Sequence, residues 1–297
     1  MSFKTTIKFI SKHPLAKRHK LKAFSRFFKW QISQMIYPHP VAYPFIGATK
    51  LWVQKGMTGA TGNIYTGLHD FEDMGFLLHF LRPEDLFVDI GANIGSYSIL
   101  ASGVTKASSI SIEPIPQTFA ALEKNISING LLEKITPLNI GLGSKKGTLL
   151  FTECYDTINH VVLNEGIQED NHLIKVPVES LDEIIIGKEV PVLLKIDVEG
   201  FEQEVINGAS ELLSKTALKA IIIELNGSGG RYGYDESKIH DQLLEYGFSS
   251  YLYNPLKREL EKVERFGNFN TIYLRDIDFI KSRLKTSDGF TVFFEHI

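Results

Sequence analysis

Two carboxylates close successive apolar runs. Asp89 stands in Val88-Asp89-Ile90-Gly91-Ala92-Asn93-Ile94-Gly95-Ser96, and Glu113 ends Ser109-Ile110-Ser111-Ile112-Glu113, 24 residues further on. An acid ending a buried strand, then a Gly-rich turn into a helix, makes a ligand cradle. Glycine lets a ligand approach the main chain, and the helix start presents unpaired N–H groups. A dinucleotide fingerprint needs G-x-G-x-x-G, whereas this turn reads G-x-x-x-G with an acid directly before it. A pyrophosphate gains little from that acid. A ligand with a cationic amino-acid end gains a partner in Asp89, and Glu113 can accept both hydroxyls of a ribose. The plain alternatives are a helix N-cap for Asp89 and a solvated strand end for Glu113.

A second constellation is Lys195-Ile196-Asp197-Val198-Glu199-Gly200-Phe201-Glu202. Charges beside the end of a buried strand are costly unless paired or functional. In an open α/β sheet Asp197 would face the ligand crevice, with Glu224 and Asn226 ending the adjacent run in the same way. Asp197, Glu224 and Asn226 form an all-oxygen set able to hold Mg²⁺ and acidify an alcohol. The alternative is that Asp197 pairs with Lys195 while Glu199 and Glu202 cap the following helix. His160, in Asp156-Thr157-Ile158-Asn159-His160, is the first candidate for a general base and Asp197 the second; His160 is otherwise a surface histidine. Asn159, Asn226 and Arg231, the last in a Gly-rich loop, are candidates to grip an acceptor. His69, Asp70 and Glu72 could close over the cradle, although a helix N-cap at Asp70 is the simpler reading.

Short β-rich runs must position these groups. They fall at 86–90, 109–113, 135–140, 192–197 and 220–225 and alternate with helical patterns, which predicts a parallel sheet with crossover helices. Two later runs, 248–253 and 270–274, are expected to pair antiparallel across a charged connection. Residues 141–178 read as a β-hairpin or lid inserted over the sheet, and 276–297 as a C-terminal helix and tail. Residues 1–68 form a separate unit: a short and a longer amphipathic helix divided at His13-Pro14, then proline breaks and a strand near Lys50.

FVDIGANIGSYS, IEPIPQTFAALEKNISIN, LLKIDVEGFEQEVINGA and IIIELN together resemble the ordered motifs of the FkbM-type methyltransferase family, over about residues 70–275. The resemblance implies a doubly wound α/β class I methyltransferase (Rossmann-like) fold over residues 69–297, with a seven-stranded sheet of order 3-2-1-4-5-7-6. It also implies S-adenosylmethionine as methyl donor. Asp89, Gly91, Asn93 and Gly95 would then line its methionine end and Glu113 its ribose, with Asn139 or Gly141 near the adenine. The expected reaction is methylation of a hydroxyl on a sugar or other small molecule. The competing readings are an NAD(P)-dependent oxidoreductase and a membrane-associated binding protein with a non-catalytic pocket.

The 297 residues carry 43% hydrophobic and 23% charged side chains, which excludes disorder over most of the chain. The net charge of −3 conceals an asymmetry. Eleven Lys and Arg precede Asp70, the first acidic residue, leaving 21 basic against 35 acidic residues and a body near −14. An acidic body argues against a nucleic-acid partner. The basic head over residues 1–37 could meet a membrane surface or pack against the body or another subunit. Cys154 is the only cysteine, which rules out an intrachain disulfide and fits a cytoplasmic setting. No export signal or membrane-spanning run is expected.

Overall fold

From residue 86 onward, apolar runs of strand length alternate with helices, so each run is covered on both faces and joins one sheet. The computed structural model of the chain describes residues 3–153, 159–162, 173–267 and 269–297. Cys154 and the Asp156, Thr157, Ile158 part of the expected loop tip lie outside the described residues. The central strands are β1 (Leu86–Ile90), β2 (Ser108–Ile112), β3 (Ile135–Leu138), β4 (Leu193–Ile196), β5 (Ala220–Glu224), β6 (Ser249–Asn254), β7 (Glu259–Lys262) and β8 (Asn270–Leu274). Their spatial order is β3-β2-β1-β4-β5-β8-β6-β7. The five strands from β3 to β5 are parallel, and β8 runs antiparallel to both β5 and β6.

The sheet therefore holds eight strands rather than the expected seven. The extra one, β7, lies within the charged connection between β6 and β8 and pairs with the outer edge of β6. Its Glu259, Glu261 and Lys262 suit an edge that must not recruit another strand.

Alternation along each strand sorts the core into two clusters. Phe87, Leu193, Ala220 and Ile222 pack with Phe76, Leu77 and Phe80 of the helix Phe71–Phe80. Val88, Ile90, Leu194, Ile196, Ile221 and Ile223 pack with Val205, Ile206, Leu212 and Leu213 on the other face. Each fully buried Phe or Leu contributes about 2 kcal/mol or more. The same period of two puts Asp89, Lys195 and Glu224 on the face of Phe87, Leu193 and Ile222. The chain leaves β1 for β2 and β3 on one side and returns to β4 and β5 on the other. The crevice at this reversal lies between the ends of β1 and β4.

The basic head forms three helices, Phe3–Lys12, Pro14–Arg18 and Lys20–Ile36, where two were expected. Pro14 is tolerated because it opens the second helix, where no intrahelical N–H is required. Ala23, Phe27 and Trp30 of the third helix share a core with Leu51, Val53 and Ile64 and with Ile94, Ile99, Leu122 and Ile126 of the sheet region. The head is thus packed into the body. The C-terminal helix Ile277–Thr286 is followed by a two-stranded hairpin, and Glu295 of that hairpin accepts from Arg18 Nε at 2.8 Å.

In the 141–178 insertion, Gly147–Thr152 and Leu173–Glu179 pair antiparallel, flanked by the short strands Gly141–Leu142 and Val161–Val162. Among the described residues no helix is long and apolar enough to cross a membrane.

Candidate functional site

The ends of β1, β2, β4 and β5 open into a cavity of about 260 Å³. Register explains its contents. Ser111, Asp89 and Lys195 are cross-strand neighbours in one row. One step further toward the strand ends, Gly91 and Asp197 follow Ile90 and Ile196, and Glu224 and Asn270 pair directly. Asp89, Gly91, Asn93, Glu113, Asn159, Asp197 and Glu224 all line the cavity.

Asp89 is 2% exposed, and its Oδ2 accepts from the Ser98 amide at 3.1 Å and the Ser98 hydroxyl at 2.5 Å. Ser98 Oγ also lies 2.6 Å from Ser111 Oγ, which locks the row together. Asp89 thus holds the first turn of the following helix, whose N-cap position is Gly95, and also lines the cavity. Glu113 is 6% exposed; Oε2 accepts from the Asn93 amide at 2.9 Å and Oε1 from the Ile115 amide at 3.0 Å. Each carboxylate oxygen retains lone-pair capacity for a ligand hydroxyl. Burial pushes Asp89 up to about 6 and Glu113 up to about 7, partly opposed by these hydrogen bonds.

The turn between them requires glycine at Gly91, whose φ is +75° and where a Cβ would meet the Asp197 carbonyl oxygen at 1.8 Å. Gly95 shares the left-handed backbone, at φ +88°, and a Cβ there would also lie 2.5 Å from Leu122 Cδ1, which would have to shift. Gly95 packs the turn against the helix Pro116–Ile128 and is not among the cavity-lining residues. Asn93 adopts φ 51°, and its side-chain oxygen accepts from the Ile94 amide.

Beside this cradle stands a second cluster. Lys195, 2% exposed, donates to Asp197 Oδ2 at 3.0 Å and to Asn270 Oδ1 at 3.3 Å. Burial works against its charge, but Asp197 and Asp70 outweigh it and hold the ammonium protonated. Carboxylate oxygens of Asp197, Glu199 and Glu224 lie within 4.8 Å of one another. Burial, then the charge of Asp197, pushes Glu224 up to about 9 and Glu199 up to about 7. Glu199 has φ 55°, a left-handed conformation that is costly for a non-glycine residue.

Several expected roles change with this geometry. Asn226 is exposed, accepts from the Ser228 amide at 2.9 Å and does not line the cavity; Glu199 takes its place beside Asp197 and Glu224. The Asp197, Glu224, Asn226 donor set therefore does not fit Mg²⁺. The positive charge beside the cluster comes from Lys195. Glu202 caps the turn, accepting from the Val198 and Gly200 amides, whereas Glu199 faces the cavity. Asn139 donates to the carbonyls of Glu113 and Pro114, holding the end of β2, while Ile140, Gly141 and Leu142 line the cavity. Arg231 is exposed and donates to the Glu199 carbonyl at 3.3 Å. His160 is not among the lining residues, although Asn159 and Val161 on either side of it are.

His69 and Asp70, candidates to close over the cradle, both line the cavity, and Tyr97, inside the first motif, lines it without an expected role. Tyr97 lines the cavity and donates to Asp70 Oδ2 at 3.0 Å; Asp70 sits at the N-cap position without capping and also faces the cavity. His69 lines it too, its ring stacked on Phe9 of the first helix at 4.9 Å. Asn270 bridges Lys195 to Asp73, donating to Asp73 Oδ2 at 2.9 Å. The one available signal was a polar residue opening an otherwise apolar strand, as Asn270 does in β8.

Residues 89–250, more than half of the chain, match the Methyltransferase FkbM domain family. The hexuronic acid methyltransferase AglP of Haloferax volcanii is 32% identical over 154 residues, covering 50% of this chain and 59% of that protein. Methyltransferase sdnD of Sordaria araneosa is 28% identical over 172 residues, covering 48% of this chain and 66% of it. The chain thus spans under two thirds of the length of either relative. A solved structure of Methyltransferase FkbM from Methylobacillus flagellatus KT is similar at 18% identity and a TM-score of 0.44, over 66% of this chain and 44% of that one. The nicotinamide alternative gains no support from the family match. The chain belongs to the FkbM methyltransferase domain family.

Proposed function

We propose that this chain transfers the methyl group of S-adenosylmethionine to a hydroxyl oxygen of a sugar or similar small polyhydroxy molecule. The observation that carries the reading is the placement of Asp89 and Glu113 in one cavity, on either side of a turn whose glycine cannot be replaced. Asp89 would face the cationic amino-acid end of the donor, and Glu113 would accept its ribose hydroxyls. Ile115, Ile140 and Leu142 supply an apolar wall for the base. The donor, when bound, supplies an electrophilic methyl group on a positively charged sulfur.

The residues of this chain do the rest. The acceptor oxygen forms its bond to the methyl carbon as the sulfur–carbon bond breaks, and the hydroxyl proton passes to a carboxylate. Glu199 is the best-matched base, because it lines the cavity and burial raises it to about 7, so about half of it is ionised and able to accept a proton at neutral pH. Asp197 stays paired with Lys195, and Glu224, raised by burial and by the charge of Asp197, lines the cavity beside it. Asn159, which already lines the cavity, is placed to hydrogen-bond an acceptor hydroxyl. Alignment and exclusion of water supply most of the acceleration.

A sugar acceptor is supported by the Haloferax relative, whose name gives it a hexuronic acid substrate. In this chain the lining is rich in carboxylates, which favours uncharged hydroxyls over an acceptor bearing its own carboxylate. Incubation with methyl-labelled S-adenosylmethionine and a panel of neutral sugars tests the reading. Label in an acid-stable, base-stable ether supports it; label recovered only as an ester or on nitrogen, or not transferred at all, refutes it.

A further inference from the structure

The third helix of the head, Lys20–Ile36, has two apolar faces. One carries Ala23, Phe27, Trp30 and Gln34 and is buried against the body. The other carries Leu21, Phe28, Ile32, Met35 and Ile36 at helical spacing and is bare: Leu21 is 89%, Ile36 80% and Met35 77% exposed. Phe3 of the first helix is also 63% exposed, although its ring meets Phe27 of the buried face at 5.8 Å. Tyr37, also exposed, follows directly at the helix end. The C-terminal hairpin does not cover this stripe. It lies along the flank, where Lys22 sits 3.7 Å from the Phe294 ring and Arg26 4.6 Å from that of Phe293.

Contiguous exposed apolar side chains are uncommon on a soluble surface and mark contact sites. Charge identifies what would make contact here. Lys20 and Lys29 are exposed on the same helix, and Lys4, Lys8 and Lys17 on the two helices before it; no acidic residue occurs before Asp70, although the chain as a whole is net negative. An occupant that is apolar and anionic, and broad enough to meet the whole stripe, is a bilayer with acidic headgroups. The helix would lie in the plane of such a surface, since no helix among the described residues is able to span one.

We propose that the outer face of Lys20–Ile36 docks this protein on anionic membrane surfaces. The docking helix is one layer from the cavity. Gln31 donates to Tyr65 Oη at 3.2 Å on the helix Thr58–Thr66, and Asn63 of that helix donates to Ser96 Oγ at the cavity wall. The proposal is independent of the methyl-transfer reading.

Co-sedimentation of the full chain with vesicles tests it. Phosphatidylcholine vesicles containing phosphatidylglycerol should bind the chain at least about tenfold more tightly than phosphatidylcholine alone. Ile32→Asp with Met35→Asp should lower that binding by about tenfold or more, with an unchanged thermal transition because both side chains are exposed. Failure of the wild-type chain to bind either vesicle overturns the proposal, as does a double variant that binds like wild type. Equal binding to both vesicles removes its electrostatic basis. A vesicle-free dimer that the same substitutions dissociate would assign the face to a second copy and overturn it as well.

Discussion

A Cβ placed on Gly91 would lie 1.8 Å from the carbonyl oxygen of Asp197. The two motifs that carry the chemistry, more than a hundred residues apart in the chain, therefore meet backbone to backbone at the sheet reversal. Gly91→Ala is expected to destabilise the fold by about 3 kcal/mol, combining a left-handed φ with a clash that no rotamer relieves. Urea unfolding checks this. A variant within experimental error of wild type would show that the β1 and β4 ends are further apart than described here.

Donor binding should depend on pH in a definite direction. Asp89 titrates near about 6 and Glu113 near about 7 in the free protein, both raised mainly by burial. A cationic ligand with hydroxyl donors favours the ionised forms, so affinity should rise from pH below about 6 to above about 7 and then level off. Titrations in buffers of different ionisation enthalpy should record proton release. Affinity that falls over this range would contradict the assignment.

The Lys195–Asp197 pair is asymmetric: the lysine is 2% exposed and the aspartate 37%. Asp197→Asn strands a buried ammonium, so it should cost about 3 kcal/mol. Lys195→Met leaves a carboxylate that cavity water can solvate, so it should cost clearly less. Chemical denaturation of the two variants decides the order, and the reverse order would refute the described burial.

Two buried histidines predict a separate stability effect. Burial holds His13 and His79 at about 4, below the ordinary 6.5, so both rings are neutral in the fold at neutral pH. The sign follows from the depressed values: their contribution is complete above about 6.5 and is lost as pH falls toward about 4. The raised carboxylates act oppositely over part of that window, so a difference measurement is needed. The stability gap between wild type and His79→Phe should shift in favour of the variant as pH falls, by up to about 1.4 kcal/mol per pH unit. A constant gap would contradict the neutral buried ring.

Acceptor charge offers another test. Asp70, Asp89, Glu113, Asp197 and Glu199 line the cavity, against Lys195. A neutral hexose should have a kcat/KM at least about tenfold above that of the corresponding hexuronate. Equal or reversed values would show that the lining does not select against anions.

Asp89 and Glu113 were legible in the sequence because each ends a run whose neighbours pack on the sheet, and position at a strand end is a local property. Lys195 and Asp197 were legible as charges requiring a partner. Asn270, Tyr97 and Asp73 were not. The first reaches the site on the returning strand β8 and the others from helices, through contacts no spacing encodes. Asn226 was misplaced by the same logic that placed Asp197. It lies two residues past the end of β5, where the chain has already turned into an exposed loop, while Glu199 turns back through its left-handed φ. β7 was hidden because an edge strand of charged residues has the composition of a linker.

The central claim is that Asp89 and Glu113 hold a sulfonium nucleoside between them. Isothermal titration of S-adenosylmethionine into the wild-type chain, Asp89→Asn and Glu113→Gln tests it most directly. One site is expected in the wild-type protein, with affinity reduced by more than about tenfold in each variant. Failure of the wild-type chain to bind, or binding undiminished in both variants, would contradict it.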